Sequence, residues 1–102
     1  MISRHWRGVA KHDEADNYIA HLRSETFPSL REIDGFVSGS ILRRDVENGV
    51  EFRIVTTWQS MRAIQMFAGD DADVAVVPPV VQTMMTEYDR LVAHYEVVEP
   101  DG

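Results

Sequence analysis

The sequence of 102 residues contains no cysteine, and this absence excludes several kinds of chemistry. Disulfide frameworks, thiolate metal sites, iron–sulfur clusters and cysteine nucleophiles all need a residue that the chain lacks. A chain without cysteine is compatible with a reducing compartment, and we expect a cytoplasmic protein.

Basic residues are scarce as well, with 10 Lys and Arg against 17 Asp and Glu and a formal net charge of −7. Binding to nucleic acid or to an anionic membrane surface depends on a basic face, so the composition disfavours both partners. No segment approaches the ~18 apolar residues of a membrane-spanning helix. The N-terminus also lacks the apolar run of a signal peptide.

The overall composition is typical of a single globular domain. Hydrophobic residues make up 44% and charged residues 26% of the chain. A chain of this length can bury one modest core. We predict a single domain over residues 1–98, followed by a frayed tail over residues 99–102.

The hydrophobic pattern predicts four strands and three helices. Strands are expected over 2–10, 36–45, 50–58 and 90–98. The first helix begins at Asp13 as its N-cap and ends near Phe27-Pro28, because proline disfavours helical geometry in the residue before it. Ser60 caps a second helix, and a third helix begins at Pro78-Pro79 and includes Tyr88.

This element order is that of an α+β protein with the ferredoxin-like, split βαβ pattern, whose antiparallel sheet has the strand order 4-1-3-2. Asn48-Gly49 predicts a hairpin between the second and third strands. A two-residue loop would place Arg44 beside Arg53, whereas a three-residue loop with a bulge would pair Leu42 with Ile54. The second register is favoured because it groups the apolar residues on one face.

The third and last strands carry apolar residues on both faces, which is unusual for a sheet with one face in water. In the third strand, for example, Phe52 and Ile54 point to one side and Val55 to the other. The chain has no further element to cover the second face. We therefore predict a homodimer.

Several segments resemble the antibiotic biosynthesis monooxygenase (ABM) domain. They are the run 56–64 (TTWQSMRAI) with 67–71 (FAGDD), the opening 4–8 (RHWRG), the junction from Phe27-Pro28 to 33–36 (IDGF), and the closing 94–97 (HYEV). The resemblance covers nearly the whole chain and implies a dimeric α+β barrel. Its motifs are mainly structural, so they specify the fold better than the reaction.

The chemistry of the ABM family is divided. Some members resemble cofactor-independent oxygenases of hydroquinone-type aromatics, others degrade haem, and others resemble small isomerases or decarboxylases. Haem-degrading members carry an Asn on the first strand, a Trp on the helix after the third strand and a later His. Here the first strand has no Asn, and the other two positions fall at Phe67 and near Val77.

The resemblance therefore implies a monooxygenase that needs no cofactor and acts on a compact aromatic or quinone-like molecule. It makes haem degradation unexpected. The alternative is a non-catalytic dimeric module for ligand binding or stress response, because a complete polar constellation cannot be carried over to this chain.

His94 is the candidate catalytic base. A histidine can take the proton of a phenol or hydroquinone, and the resulting anion is electron-rich enough to react with O₂ directly. The alternative is an interface histidine bonded to a carboxylate such as Glu96 of the partner subunit.

Six further residues are candidates for substrate binding. Trp6 and Trp58 would position the ring, and Arg4 would stabilise a developing phenolate or enolate oxygen. The remaining candidates are His21, Phe67 and Met84. Each also has a plain alternative, since the aromatic residues and Met84 suit a core and His21 suits a helix surface.

We expect no metal site, because the four histidines lack a close ligand spacing. Asp70, Asp71 and Asp73 are interpreted as a solvated loop, since the spacing of a calcium-binding loop is absent.

Overall fold

The computed structural model describes residues 1–100 and builds them around an antiparallel sheet. Its strands are β1 (Ile2–Ala10), β2 (Phe36–Val46), β3 (Gly49–Trp58), β4 (Met85–Tyr88) and β5 (Ala93–Glu96). β3 lies between β2 and β1, and the far side of β1 pairs with both β4 and β5. The predicted α+β fold with strand order 4-1-3-2 is confirmed, with its last position shared by two short strands.

The extra strand β4 corrects the prediction for the third helix. That helix, α4 (Pro79–Met84), begins as expected but ends before Met85, whose backbone pairs with Ala10 on β1. A short apolar run is compatible with either a helix or a strand. Here the residues from Met85 form a strand because the edge of β1 offers them backbone hydrogen-bond partners. The last predicted strand is correspondingly shorter, because only Ala93–Glu96 pairs with β1 as β5.

The first helical region also differs from its prediction. It opens with a 3-10 turn over His12–Glu14 that has no side-chain cap, so Asp13 is not the N-cap. It continues as α1 (Ala15–His21), a π-helical turn (Leu22–Thr26) and α2 (Phe27–Arg31), and therefore passes through Pro28.

The π-helical turn explains how the helix tolerates Pro28. Proline lacks an N–H, and its ring clashes with the carbonyl group four residues earlier in a regular helix. Here the N–H of Phe27 donates to the carbonyl oxygen of Leu22, five residues back, which widens the turn directly before the proline.

The helix α3 (Met61–Ala68) follows β3 and begins at the predicted N-cap, Ser60. The N–H of Ala63 donates to the Ser60 hydroxyl at 3.2 Å, which satisfies one of the free donors at the helix N-terminus. Gly69 ends the helix at a φ of 84°, a conformation that glycine adopts without strain.

Neither predicted register of the β2–β3 hairpin is correct. The turn residues are Glu47 and Asn48, and Arg44 lies opposite Glu51. Leu42 consequently pairs with Arg53, and Ile41 takes the position beside Ile54. This register puts opposite charges together, whereas the predicted registers would not.

The helices pack on one face of the sheet and form the core there. Its largest fully buried side chains include Trp58, Phe52, Leu30 and Ile64. The other face, called here the open face, carries side chains that include His5, Arg7, Leu42, Arg53 and Tyr95. Leu42 and Tyr95 are 52% and 56% exposed.

No helix within residues 1–100 combines the length and the apolar character needed to cross a bilayer. The expected frayed tail, 99–102, lies partly outside the described residues, since Asp101 and Gly102 are not among them.

Candidate functional site

A cavity of about 80 Å³ lies between the helices and the covered face of the sheet. Arg4 and Trp6 on β1 and Thr56 on β3 form its floor, and Tyr18 on α1 and Phe67 on α3 form walls. The segment 76–78, which precedes α4, closes one side. The lining is mainly apolar, with a few polar groups that converge on one region, as in typical small-molecule sites.

The volume limits what the cavity can hold. An engineered apolar cavity of about 150 Å³ takes up benzene. The present cavity has about half that volume, so an aromatic ring enters only if a wall moves outward. Val76 is 45% exposed and Pro78 is also exposed, whereas Val77 between them packs against the core, so outward movement of the segment 76–78 would break the contacts of Val77.

Within residues 1–100, Arg4 is the only charged side chain that lines the cavity, and it is only 5% exposed. Its Nη1 donates to the carbonyl oxygen of Ala72, and its Nη2 donates to that of Val74 at 3.2 Å. Its carbon Cζ lies 5.9 Å from the centre of the Phe67 ring, within cation–π range. Burial lowers the pKa of Arg4, and the charge of Asp73 opposes this shift.

His94 completes the polar region from behind Arg4. Its register position on β5 is opposite Arg4, and its Nε2 lies 2.9 Å from Arg4 Nη1. Its Nδ1 lies 3.3 Å from Asp73 Oδ1. We name this chain of contacts, Asp73–His94–Arg4, the relay.

The relay fixes the proton position on His94. A guanidinium group donates hydrogen bonds and cannot accept them, so Nε2 must be the unprotonated, accepting nitrogen. The ring proton therefore sits on Nδ1 and is donated to Asp73. Burial, and next the charge of Arg4, lower the pKa of His94, while the hydrogen bond and charge of Asp73 act in the opposite direction. The result is a neutral base.

Trp6 and Phe67 give the cavity two fixed aromatic walls. Trp6 Nε1 donates to the carbonyl oxygen of Asp89 at 2.9 Å, and its ring lies over the backbone of Gly8. Phe67 stacks on Trp58 with ring centres 6.1 Å apart and an interplanar angle of 22°. Trp58 is fully buried, so it supports Phe67 from the core.

The structure brings part of the predicted set together. Arg4, Trp6 and Phe67 line the cavity, while Trp58 and His94 stand one contact behind Phe67 and Arg4. His21 and Met84 are not in the lining. His21 is partly buried at the end of α1, and Met84 is packed in the core at the end of α4.

Sequence reasoning missed Tyr18 and Asp73. Tyr18 recurs with Ala15, Ile19 and Leu22 at helical spacing, which indicates only that it is buried, yet it lines the cavity, and burial raises the pKa of its phenol. A hydroxyl-bearing residue in a buried stripe was the available signal. Asp73 was read as part of a solvated loop, and nothing in the local sequence indicates its contact with His94.

The open face carries a separate charged cluster around Glu51, whose side chain is 5% exposed. Arg44 donates two hydrogen bonds to Glu51 Oε2, from Nε at 3.3 Å and from Nη2 at 3.0 Å. Arg7 and Arg53 lie 3.6 and 3.5 Å from the same carboxylate. These residues lie on the other side of the sheet from the cavity, so they do not belong to this site.

No protein-family model matches the sequence, and no curated protein matches it significantly. Solved structures do match. A Bacillus cereus protein named as a candidate antibiotic biosynthesis monooxygenase is 17% identical, with a TM-score of 0.69 over 100% of this chain and 95% of its own. A Caulobacter crescentus protein named in the same way is 16% identical, with a TM-score of 0.72 over 96% and 90% of the two chains.

A third similar structure is a mutant of MhuD with two manganese protoporphyrin IX molecules bound per active site. It is 17% identical, with a TM-score of 0.63 over 100% of this chain and 99% of its own. Many of the similar structures carry the ABM name. The resemblance indicated by the sequence motifs is confirmed at the level of the fold, which is what identities of this size show.

Proposed function

We propose that the protein binds a compact aromatic molecule with an acidic hydroxyl group in the cavity beside Arg4 and oxidises it with O₂ without a cofactor. The observation that carries this proposal is Arg4, a buried cation in a mainly apolar wall that no carboxylate within residues 1–100 contacts directly. A buried charge is costly unless it is paired, so this wall favours an anionic partner. The ABM names among the similar structures support oxygen chemistry.

The free donors of Arg4 suit a phenolate oxygen. A guanidinium group has five N–H donors, and Arg4 uses three of them toward Ala72, Val74 and His94. The ring of the ligand would lie between Trp6 and Phe67. The volume favours a single ring over a porphyrin, because even one ring requires the segment 76–78 to move outward.

His94 supplies the base in this proposal. Arg4 releases His94 Nε2 when its free donors bind the substrate oxygen, and the freed lone pair of Nε2 takes the hydroxyl proton. The phenolate then reacts with O₂. Oxidation of a phenol to a quinone balances without an external reductant: the substrate loses two hydrogens and gains one oxygen atom, and the second oxygen atom leaves as water.

The assembly in this proposal is a homodimer formed through the open face, whose exposed Leu42 and Tyr95 a second copy would cover. The cytoplasmic location expected from the sequence stays a prediction.

The test combines native mass spectrometry of the purified protein with binding and oxygen uptake for a panel of monocyclic phenols and hydroquinones. Arg4→Met should weaken binding by roughly 10- to 100-fold, since a hydrogen bond to a charged group contributes about 1.5–3 kcal/mol. His94→Ala should retain binding and lose oxygen uptake. His12→Ala is the control, because His12 is exposed on the 3-10 turn.

Each result selects between functions. Binding to the wild-type protein without oxygen uptake would support a ligand-binding module in place of an oxygenase. Equal binding to wild-type and Arg4→Met protein would overturn the site itself. Circular dichroism of each variant shows that a loss of binding does not come from unfolding.

A further inference from the structure

The backbone around Asp73 is held in place independently of its side chain. The N–H of Val92 donates to the carbonyl oxygen of Asp73 at 2.8 Å, and the N–H of Ala75 donates to that of Arg90 at 2.9 Å. Val74 forms an isolated antiparallel bridge with Leu91. These backbone contacts hold the segment 72–75 against the chain that leads into β5. The position of the Asp73 backbone, from which its side chain extends, is therefore fixed.

The Asp73 side chain is mostly exposed, yet it contacts the mostly buried side chain of His94. It is 75% exposed, and a carboxylate in that position gains little from a surface ion pair. Its Oδ1 nevertheless meets Nδ1 of His94, whose side chain is only 10% exposed. The other nitrogen of His94 meets Arg4, so the imidazole is oriented from both sides.

From this geometry we propose that Asp73 is the positioning residue for the base of the cavity. It accepts the Nδ1 proton of neutral His94 and thereby holds the ring with the lone pair of Nε2 directed at Arg4. This inference rests on the proposed function, in which His94 takes the substrate proton. Asp73 does not touch the substrate and acts only through His94.

The proton transfer balances in charge and atoms. The O–H bond of the phenol breaks, and an N–H bond forms at Nε2 of His94. The phenolate pairs with the guanidinium of Arg4, and the imidazolium pairs with the carboxylate of Asp73. Asp73 stays ionised throughout, so its role is to orient His94 and to stabilise the charged ring.

The experiment is heteronuclear NMR of the full-length protein without ligand, which reports the tautomer and the pKa of His94. In the wild-type protein we expect the Nδ1–H tautomer. Asp73→Asn keeps an accepting oxygen but removes the charge, so it should preserve the tautomer and lower the pKa of His94. Asp73→Ala removes both, so it should lower the pKa and also change the Nδ1 and Hδ1 chemical shifts, because Nδ1–H loses its acceptor while Arg4 still requires Nε2 as an acceptor.

Asp70→Ala is the matched control, because Asp70 is an exposed residue of the same acidic segment. It should leave the tautomer and the pKa as in the wild-type protein. The charged groups that act on His94 are Arg4 from β1 and Asp73 from the segment 72–75. An Nε2–H tautomer in the wild-type protein, or identical His94 spectra in wild-type and Asp73→Ala protein, would overturn the inference.

A second readout separates this inference from the proposed function. In an active protein, the acid limb of the pH profile for oxygen uptake follows the pKa of His94, so Asp73→Asn should move that limb to lower pH. A merely structural role would lower the rate without moving the limb. If the NMR result holds while no phenol is oxidised, the proposed function fails and the positioning of His94 stands. The amide signals of Ala75 and Val92 show whether the segment remains folded.

Discussion

The lack of a side chain at Gly8 allows the Trp6 ring to take its position in the cavity wall. A Cβ atom at this position would meet the Trp6 ring, with Cζ2 and Cζ3 each at 3.0 Å. The ring cannot simply swing away, because Trp6 Nε1 is bonded to the carbonyl oxygen of Asp89. Gly8 is the next residue after Trp6 on the same face of β1. Its lack of a side chain therefore contributes to the shape of the cavity.

Gly8→Ala should destabilise the protein by about 1–3 kcal/mol, the usual cost of an extra methyl group in a packed interior. Urea denaturation measures this loss. The emission of Trp6 should also shift, while fully buried Trp58 reports no change. A Gly69→Ala variant is a useful contrast: nothing would meet its Cβ, and its cost comes from the backbone alone. Unchanged stability and emission in Gly8→Ala would contradict this account.

The candidate site could be predicted only in part at the scale of residues. Arg4 and Trp6 are two positions apart on a predicted strand and Phe67 belongs to the apolar stripe of a predicted helix, so the sequence indicates which face they occupy, although the alternation along β1 is weak. The link from His94 to Asp73 joins a strand to an irregular segment, and no periodicity determines such a contact. The position of Tyr18 in the cavity wall could not be predicted for a different reason. An apolar stripe indicates which residues are buried but not which of them borders a cavity.

At the scale of elements, the sequence predicts the strand order and the caps of α3 better than it predicts strand pairing or the ends of the first helical region. Ser60 and Gly69 specify the ends of α3 through local backbone chemistry. The β2–β3 register instead depends on side chains from both strands, and the contact of Arg44 with Glu51 appears only when the strands are aligned. The strand β4 was missed because its partner, the edge of β1, is about 75 residues away in the chain.

The Glu51 cluster gives β3 a pH-dependent contribution to stability. The hydrogen bond from Arg44, followed by the charges of Arg7 and Arg53, lowers the pKa of Glu51 despite the opposing effect of burial. A carboxyl group with a depressed pKa in the folded state stabilises the protein above its ordinary value of 4.5, and this contribution is lost as the pH falls through the lower folded value.

Glu51→Gln should therefore lower the urea midpoint at pH 7 and have a much smaller effect at strongly acidic pH, where Glu51 is protonated in the wild-type protein as well. Glu25→Gln on the exposed side of the π-helical turn is the control and should have little effect at either pH. A difference between wild-type and Glu51→Gln protein that stays constant over this pH range would show that the ion pairs do not stabilise β3.

At the scale of the whole molecule, the open face raises the question of assembly. It joins exposed apolar side chains, such as Leu42 and Tyr95, to arginines that share one buried carboxylate. A specific interface between copies buries on the order of 1,200 Å² or more in total. This is the surface through which we propose that two copies associate.

Leu42→Arg should shift the protein from dimer to monomer, because it adds like charge to a face that already carries Arg7, Arg44 and Arg53. The fold should be retained, since exposed surface substitutions usually change stability by less than about 0.5 kcal/mol. Light scattering after size exclusion measures the mass at several concentrations. Met66→Arg, on α3 and 74% exposed, is the control for the added charge and should leave the dimer intact. A monomeric wild-type protein would contradict the proposed assembly.

The π-helical turn links the length of the first helical region to the shape of the cavity. Leu22, Thr26 and Leu30 all border the cavity, at intervals of four residues. In a regular helix, which advances by about 100° per residue, such positions drift by about 40° at each step. The slower winding of Leu22–Thr26 compensates for this drift. A one-residue deletion here would restore regular winding and rotate Tyr18 and Leu22 relative to the cavity. We therefore expect a single-residue gap at this point in a related sequence to accompany a cavity of different shape, and a gap of the same size in a surface loop to leave the cavity unchanged.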